Sequence, residues 1–295
     1  MKTPKKHNIP LFFIIPAMLF YSLFVMLPIL VMIFSSFTNW DGFAQNEWSF
    51  TGTKNYIDLF KDDRFIHSIS VTIQIMITVT VIANIGGLLL ALFLNKNNKF
   101  NIFLRVIFFS PYILSTVAVA YIWLALLSYT GAVNSILSQI GLVQFQNDFI
   151  GNGKSAIISI CIIEIWRTIG FYMVIYLASL KTVSTELYEA CKIDGSNNWQ
   201  TFRYITLPHI VPGITVCILM SIILEMKLYD LVKIITDGGP GYSTETIAYY
   251  TLTQAFNTNR IGYSSAAATL LTLIIAILAL FQSKIISYLE KRHNH

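Results

Sequence analysis

Six long apolar runs divide this 295-residue sequence, and they constrain its fold more than any other feature. An α-helix needs about 20 residues to cross the hydrocarbon core of a bilayer, and each run is at least that long. Because lipid offers no hydrogen-bond partners, a spanning segment must satisfy its own backbone groups. The sequence therefore predicts an all-α integral membrane protein with six transmembrane helices. The runs cover about residues 9–37, 70–94, 106–127, 156–180, 210–235 and 263–289.

The charge content agrees with a lipid environment. Only 12% of the residues are Asp, Glu, Lys or Arg, whereas a soluble domain carries about 25%. The net charge of +5 forms no basic stripe, which argues against a nucleic-acid partner. The three cysteines and five histidines lack metal-ligand spacing, so we expect no metal site and no disulfide framework.

The first apolar run is interpreted as a retained helix. A cleaved signal has an apolar core of only about 7–15 residues, and this run is much longer. Pro16 and Pro28 are expected to kink it. The predicted division of the chain is a tail, the first transmembrane helix, an outer loop, a five-helix core with a polar insert at 181–209, and a second tail. Their bounds are residues 1–8, 9–38, 39–69, 70–289 and 290–295.

The distribution of Lys and Arg predicts the orientation. Twelve of these residues lie in the N-terminal tail, the turn at 95–105, the insert and the C-terminal end, against five on the opposite side. Cytoplasmic loops carry the excess of Lys and Arg. Both termini and the insert are therefore expected in the cytoplasm.

The polar insert predicts two short helices with a bend at Gly195. Ser184 is placed to cap the first helix, and Glu186 lies near the positive end of its dipole. Asn197 or Asn198 is expected to start the second helix, and Pro208 is expected to end it. Three apolar side chains recur at three-residue steps along one side of that helix: Trp199, Phe202 and Ile205. The insert thus forms a compact, partly apolar knob suited to fitting into another protein.

The spacing within the insert resembles the signature loop of the membrane subunits of binding-protein-dependent ABC importers. The matching residues are Glu189-Ala190-Cys191, Gly195, Ile205 and Leu207-Pro208, with Cys191 in place of the second alanine. Further segments resemble the sugar-importer branch, and within it the larger maltose-importer permease. They are Ser36-Phe37-Thr38-Asn39-Trp40, Leu187-Tyr188 and Gly238-Gly239-Pro240-Gly241. The likeness extends from about residue 10 to about residue 281.

The resemblance implies a type I ABC importer permease fold in a bacterial cell membrane. It implies a second homologous permease as heterodimer partner, two ATP-binding subunits, and an extracytoplasmic protein that delivers a mono- or oligosaccharide. ATP and Mg would bind the ATPase partner, so this chain is expected to be neither an enzyme nor a cofactor binder. The loop 238–241 would meet the sugar-binding protein. The residues expected to contact the ATPase are Glu189, Ala190, Cys191, Asp194, Gly195, Trp199, Phe202, Ile205, Leu207 and Pro208.

The fifth run contains the densest set of charges within any predicted span. Lys227, Asp230 and Lys233 step by three, so they are expected to neutralise one another along one stripe, while Glu225 needs a different partner. One interpretation is a polar wall along a translocation path, where Tyr229 and Asp230 offer a ring and a carboxylate to a sugar. The other is helix packing near the outer membrane surface. In the fourth run, Glu164 and Arg167 are also three apart and are expected to form a structural ion pair.

A different class of function remains possible from the residues alone. A secondary carrier driven by an ion gradient could use the charges of the fifth run as a proton or cation relay. Such carriers often show inverted repeats and broken helices at mid-membrane, and the sequence indicates neither.

Overall fold

The computed structural model describes residues 14–43 and 45–293, with side chains up to 284. The predicted tail at 1–8 and the start of the first helix lie outside these residues. Among the described residues, six helical segments are long and apolar enough to cross a membrane, which confirms the six-helix prediction. They are Ile15–Ser35, Asp63–Phe93, Thr116–Gln139, Gly153–Leu180, Asn198–Met226 and Ile261–Lys284.

The described chain forms two compact units, and the first contains the residues up to 61 together with 251–270. Its helices are α1 (Ile15–Tyr21), α2 (Leu27–Ser35) and α3 (Lys54–Lys61), and a π-helical turn, Ser22–Met26, joins α1 to α2. Pro28 lies just after this turn. Because a proline lacks the backbone N–H that would continue the regular hydrogen-bond ladder, it accounts for the wider turn before it. Pro16 instead lies in the first turn of α1, where that N–H is not needed, so the kink predicted there is wrong for the described helix.

The second unit contains residues 62–250 and those from 271 onward. Its helices up to the insert are α4 (Asp63–Phe93), α5 (Lys99–Ile113), α6 (Thr116–Leu127), α7 (Ala132–Gln139) and α8 (Gly153–Leu180). The later helices are α9 (Thr185–Ile193), α10 (Asn198–Thr201), α11 (Leu207–Met226) and α12 (Asp230–Ile235). Two more, α13 (Ile247–Phe256) and α14 (Ile261–His293), each begin in one unit and end in the other.

Close helix packing around α8 forms the core of the second unit. A Cβ added at Gly87 of α4 would lie 2.9 Å from the Tyr172 side chain and 3.0 Å from the Met173 amide nitrogen of α8. Tyr172 and Met173 are fully buried. Tyr176 donates a hydrogen bond to Asn84 at 2.8 Å. Small residues let the two helix backbones approach, as they do in other membrane helices.

Some helix ends differ from the predicted ones, because a capping side chain or a proline determines where a helix begins or breaks. α4 begins seven residues before the predicted start at 70, because the Asp62 carboxylate accepts from the amide of Arg64 at 2.9 Å and caps the helix. The helix predicted over 106–127 is divided into α5 and α6, with Leu114 and Ser115 extended just beyond Pro111. α14 runs to His293, so most of the predicted tail at 290–295 is helical.

Candidate functional site

The first helix of the insert, α9, ends in a hydrogen-bonded glycine motif. The amide of Ser196 donates to the Cys191 carbonyl at 3.0 Å, and the amide of Gly195 donates to Lys192 at 3.2 Å. Gly195 has φ of +74°, the left-handed conformation that glycine adopts without a steric penalty. Ser184 is at the N-cap position, as predicted, but its hydroxyl makes no capping bond in the described structure.

The second helix of the insert begins with a capping box. The Asn197 side chain accepts from the Gln200 amide, and the Gln200 side chain accepts from the Asn197 amide, each at 2.8 Å. These bonds satisfy two amides that a helix start would otherwise leave free. The Ser196 hydroxyl donates to the Cys191 carbonyl at 2.8 Å and lies 2.9 Å from the Thr201 hydroxyl. The bend is therefore fixed from both sides.

The predicted break at Pro208 is wrong. A π-helical turn, Phe202–Thr206, follows α10 and leads directly into α11. The wider turn accommodates the proline, whose ring removes one backbone donor and crowds the preceding turn. Consequently the second helix of the insert and the fifth membrane span form one continuous helical segment, Asn198–Met226.

The apolar side chains of the insert divide into an exposed set and an anchoring set. Trp199 is 70% exposed, and its ring centroid lies 5.8 Å from that of Phe202. Ile205 is partly buried against the core of the unit, so the three predicted side chains do not share one environment. Sequence reasoning missed Ile193 and Tyr204, which are 87% and 72% exposed. An apolar residue in an otherwise polar segment was the signal available for Ile193.

The other predicted contact residues of the insert are mostly at its surface. Glu189, Ala190 and Asp194 are exposed, whereas Cys191, Leu207 and Pro208 are partly buried. The insert is thus a capped helix pair that is exposed at its bend and anchored at its base.

The charges of the fifth run do not form the predicted stripe. The helix ends at Met226 and resumes at Asp230, with Tyr229 between them at φ −127° and ψ −58°. Lys233 pairs with Asp237 at 2.6 Å, and no ion pair joins Lys227, Asp230 and Lys233 in the described part of the chain. The prediction assumed an unbroken helix, and the break between Met226 and Asp230 removes the three-residue spacing on one face.

The break lies just beyond the end of α11 that is remote from the insert. α11 has 20 residues, which span about 30 Å at 1.5 Å per residue. The break therefore lies about one hydrocarbon thickness from the insert. The Tyr229 ring stacks on Tyr249, with their centroids 6.1 Å apart.

The pKa of Asp237 is lowered by hydrogen bonds from Lys233 and from the Tyr249 hydroxyl. These donors favour the ionised carboxylate. Because the folded-state pKa is depressed, the stabilisation is present above the usual aspartate pKa and is lost as the pH falls through the lowered value. The pair is exposed, so its contribution to stability is small.

The fourth run carries the predicted ion pair. Arg167 donates from Nε to Glu164 at 3.0 Å and also from Nη2, which confirms that prediction. Glu225 of α11 is 1% exposed, and neither of its carboxylate oxygens has a hydrogen-bond partner among the described residues.

The glycine-rich loop after α12, residues 238–241, is a tight turn. Gly238 and Gly241 have φ of +78° and +57°, and the peptide bond between Gly239 and Pro240 is cis. A Cβ at Gly238 would lie 2.8 Å from the Tyr249 ring. Gly238 therefore meets two requirements that only glycine satisfies easily, a left-handed backbone and a close neighbour.

An ion pair with a buried carboxylate joins the segment that follows Gly241 to the start of α4. Arg64 donates from Nε and Nη2 to Glu245 at 2.6 and 2.7 Å, and Glu245 is fully buried. The Arg64 guanidinium also lies 3.9 Å from the centroid of the Tyr242 ring. Sequence reasoning missed this pair, because its partners are 181 residues apart and no spacing rule connects them.

These features define a membrane-embedded subunit with a folded insert between two of its spans. The chain belongs to the family described as "Binding-protein-dependent transport system inner membrane component", which matches residues 83–294. It is therefore a transport-system permease subunit and not an enzyme.

Two curated relatives match over nearly their whole length. The "Probable ABC transporter permease protein YurN" of Bacillus subtilis is 32% identical, over 94% of this chain and 95% of the relative. The "Multiple sugar-binding transport system permease protein MsmF" of Streptococcus mutans is 29% identical, over 92% of this chain and 93% of the relative.

A solved structure has the same fold. It is that of a bacterial alginate ABC transporter in complex with a periplasmic protein bound to alginate pentasaccharide. The likeness covers 95% of this chain and 94% of the other chain, with a TM-score of 0.81 and 24% identity.

Proposed function

We propose that this chain is one of two homologous permease subunits of an ATP-driven importer for a mono- or oligosaccharide. Two separate ATP-binding subunits bind ATP and Mg, and an extracytoplasmic binding protein delivers the sugar. Family membership supports the transport role, and the multiple-sugar permease of Streptococcus mutans supports the substrate class. Both termini and the insert face the cytoplasm of a bacterial cell.

The observation that carries the coupling role is the doubly fixed bend at Gly195. A segment that transmits a push between two proteins must hold its shape, and the glycine motif and capping box provide that rigidity. Ile193 and Trp199 lie on the two sides of the bend and expose apolar surface, which a cleft on the ATPase covers. ATPase closure then moves the insert and, through the continuous helix, α11.

The substrate path is inferred at the helix break after α11, and the binding-protein contact is inferred at the loop that follows α12. Lys227 and Asp230 are exposed beside Tyr229 at the helix break, where they can donate to and accept from sugar hydroxyls. Glu225 belongs to the same path but is buried in this conformation. The loop 238–241 is a contact for the binding protein.

We expect sugar uptake by the reconstituted assembly to require ATP and the binding protein, and to be unaffected by ionophores. ATP hydrolysis on the partner subunits drives uptake, so collapsing the ion gradients should not reduce the uptake rate. The measurement is uptake of labelled sugar into proteoliposomes, with and without enclosed ATP. Uptake that stops with an ionophore while ATP is present would instead support the ion-driven carrier.

We expect a membrane-impermeant maleimide to label Cys191 only from the cytoplasmic side. Cys161 and Cys217 are buried, so native Cys191 acts as a single reporter. The reagent should label inside-out vesicles stripped of the ATPase and spare intact spheroplasts, and added ATPase should reduce the labelling. A matched control is Asn152→Cys at the start of α8, which should react only in spheroplasts. Labelling of Cys191 in spheroplasts would contradict the orientation.

A further inference from the structure

Tyr242 combines an exposed aromatic ring with a strained backbone. Its φ of +65° is left-handed, a conformation that is unfavourable for a bulky residue with a Cβ. The side chain is 53% exposed, so burial of the ring does not compensate for the strain. Strained residues of this kind concentrate at functional sites, where the surrounding structure holds them in place. The outlier therefore points to a function for the exposed ring.

The residues that follow Tyr242 hold its backbone in this conformation. Glu245 is fully buried, and its amide donates to the Tyr242 carbonyl at 3.1 Å. The Glu245 carboxylate accepts the two hydrogen bonds from Arg64 at the start of α4. A Cβ built on Gly153, the first residue of α8, would lie 2.7 Å from the Ser243 hydroxyl oxygen. The loop thus has fixed contacts with the starts of two membrane helices.

The ring of Tyr242 has one covered face and one open face. The Arg64 guanidinium carbon lies 3.9 Å from the ring centroid, which is a cation–π contact. Because more than half of the side chain is still exposed, the exposed area belongs to the opposite face and the ring edges. Arg64 is itself held by Glu245, so the ring rests on a fixed support. A rigid tyrosine offers contact area at a low cost in conformational entropy, and tyrosines are frequent binding hot spots.

The position of the loop indicates which partner covers the ring. The loop follows α12 and lies beyond the end of α11 that is remote from the insert. With the insert in the cytoplasm, as proposed, this end faces the outside of the membrane. A lipid tail is an unsuitable neighbour, because the Arg64 side chain beside the ring is charged and partly exposed. The soluble protein that the proposed function brings to this side is the sugar-binding protein.

We propose that Tyr242 is the anchor through which the sugar-binding protein docks on this chain. The ring enters an apolar recess on the binding protein. Nε and Nη2 of Arg64 donate to Glu245, so Nη1 is left for a hydrogen-bond acceptor at the rim of that recess. The inference rests on the proposed function, and it deepens the contact assigned to the loop 238–241. The glycines shape the turn, and the side chain that follows them supplies the binding energy.

The test uses the complete assembly in nanodiscs and the purified binding protein encoded beside this chain, loaded with its sugar. Tyr242→Gly removes the ring and suits the left-handed backbone, so the loop keeps its shape. This variant should raise the Kd for the binding protein about thirtyfold, as expected when a hot-spot side chain is truncated. The Tm of the assembly should stay at the wild-type value or rise, because relief of strain offsets the lost ring–guanidinium contact.

Two variants serve as controls for Tyr242→Gly. Tyr242→Phe keeps the ring and should retain most of the binding. Tyr129→Ala removes a tyrosine that is 66% exposed in the loop after α6, and it should change neither Kd nor Tm. Uptake by Tyr242→Gly should recover at saturating concentrations of binding protein, because only the affinity is lost.

An unchanged Kd in Tyr242→Gly would overturn the anchor role. A Tm that falls together with the affinity would assign the ring to the stability of the loop instead. Uptake that stays low at saturating binding protein, with an unchanged Kd, would assign the ring to the cargo. If the wild-type assembly does not bind the sugar-loaded protein, the proposed function itself is contradicted, and this inference with it. The wild-type measurement thus separates the two failures.

Discussion

Replacing Gly195 with valine is expected to reduce ATP-driven sugar uptake at least about tenfold while the helices remain inserted. Gly195 has φ of +74°, and a left-handed conformation costs a residue with a Cβ about 1–2 kcal/mol, with β-branched residues more strongly disfavoured. Nothing lies within 4 Å of a Cβ built at this position. The penalty is therefore one of backbone conformation and not of crowding within the chain.

The penalty destabilises the bend and does not affect the packing of the membrane helices. α9 and α10 keep their own hydrogen bonds, but the amides of Gly195 and Ser196 lose the geometry that ties them to Lys192 and Cys191. A bend that samples other conformations cannot transmit a rigid push. ATP hydrolysis should then continue without transport, which is measured by assaying both in the same proteoliposomes.

Gly195→Asn is the matched control. Asparagine visits the left-handed region more readily than other residues with a Cβ, so this variant should retain most of the uptake although its side chain is similar in size to valine. Equal loss in both variants would indicate that the ATPase cleft excludes any side chain. Normal uptake by the valine variant would contradict the docking role of the insert.

The sequence predicted those parts of the fold that depend on short segments. A bilayer sets the length of each apolar run, so six spans could be counted directly. The bend at Gly195 and the start of the second helix at Asn197 follow from local propensities, and the i,i+3 pair of Glu164 and Arg167 follows from helix geometry.

The sequence failed where tertiary structure determines the local geometry. A helical pattern continues across residues 227–229, yet the helix breaks there, so Lys233 pairs with Asp237 instead of Asp230. At Pro208 the helix does not break as expected, because the preceding π-helical turn accommodates the proline. The Arg64–Glu245 pair depends on folding that joins the start of α4 to a distant loop, and no local rule anticipates such a contact.

Arg64→Ala is expected to destabilise the second unit by about 3 kcal/mol, because it leaves Glu245 as an uncompensated buried charge. Glu245 is fully buried, while the Arg64 side chain is 26% exposed, so water offsets part of the loss. In the assembly purified in nanodiscs, the apparent Tm should fall by on the order of 5–10 °C. Binding of the sugar-binding protein should weaken as well, since the pair fixes the loop that follows Gly241.

Two further variants distinguish the cost of leaving a buried charge unpaired from the cost of losing the contacts of Arg64. Adding Glu245→Gln to Arg64→Ala should restore part of the lost Tm, because a neutral amide is less costly to bury than an unpaired carboxylate. Lys233→Ala breaks the Asp237 pair, whose side chains are 44% and 68% exposed, and should cost less than about 1 kcal/mol. If Arg64→Ala and Lys233→Ala lower Tm equally, the Arg64–Glu245 pair does not stabilise the loop as its burial indicates.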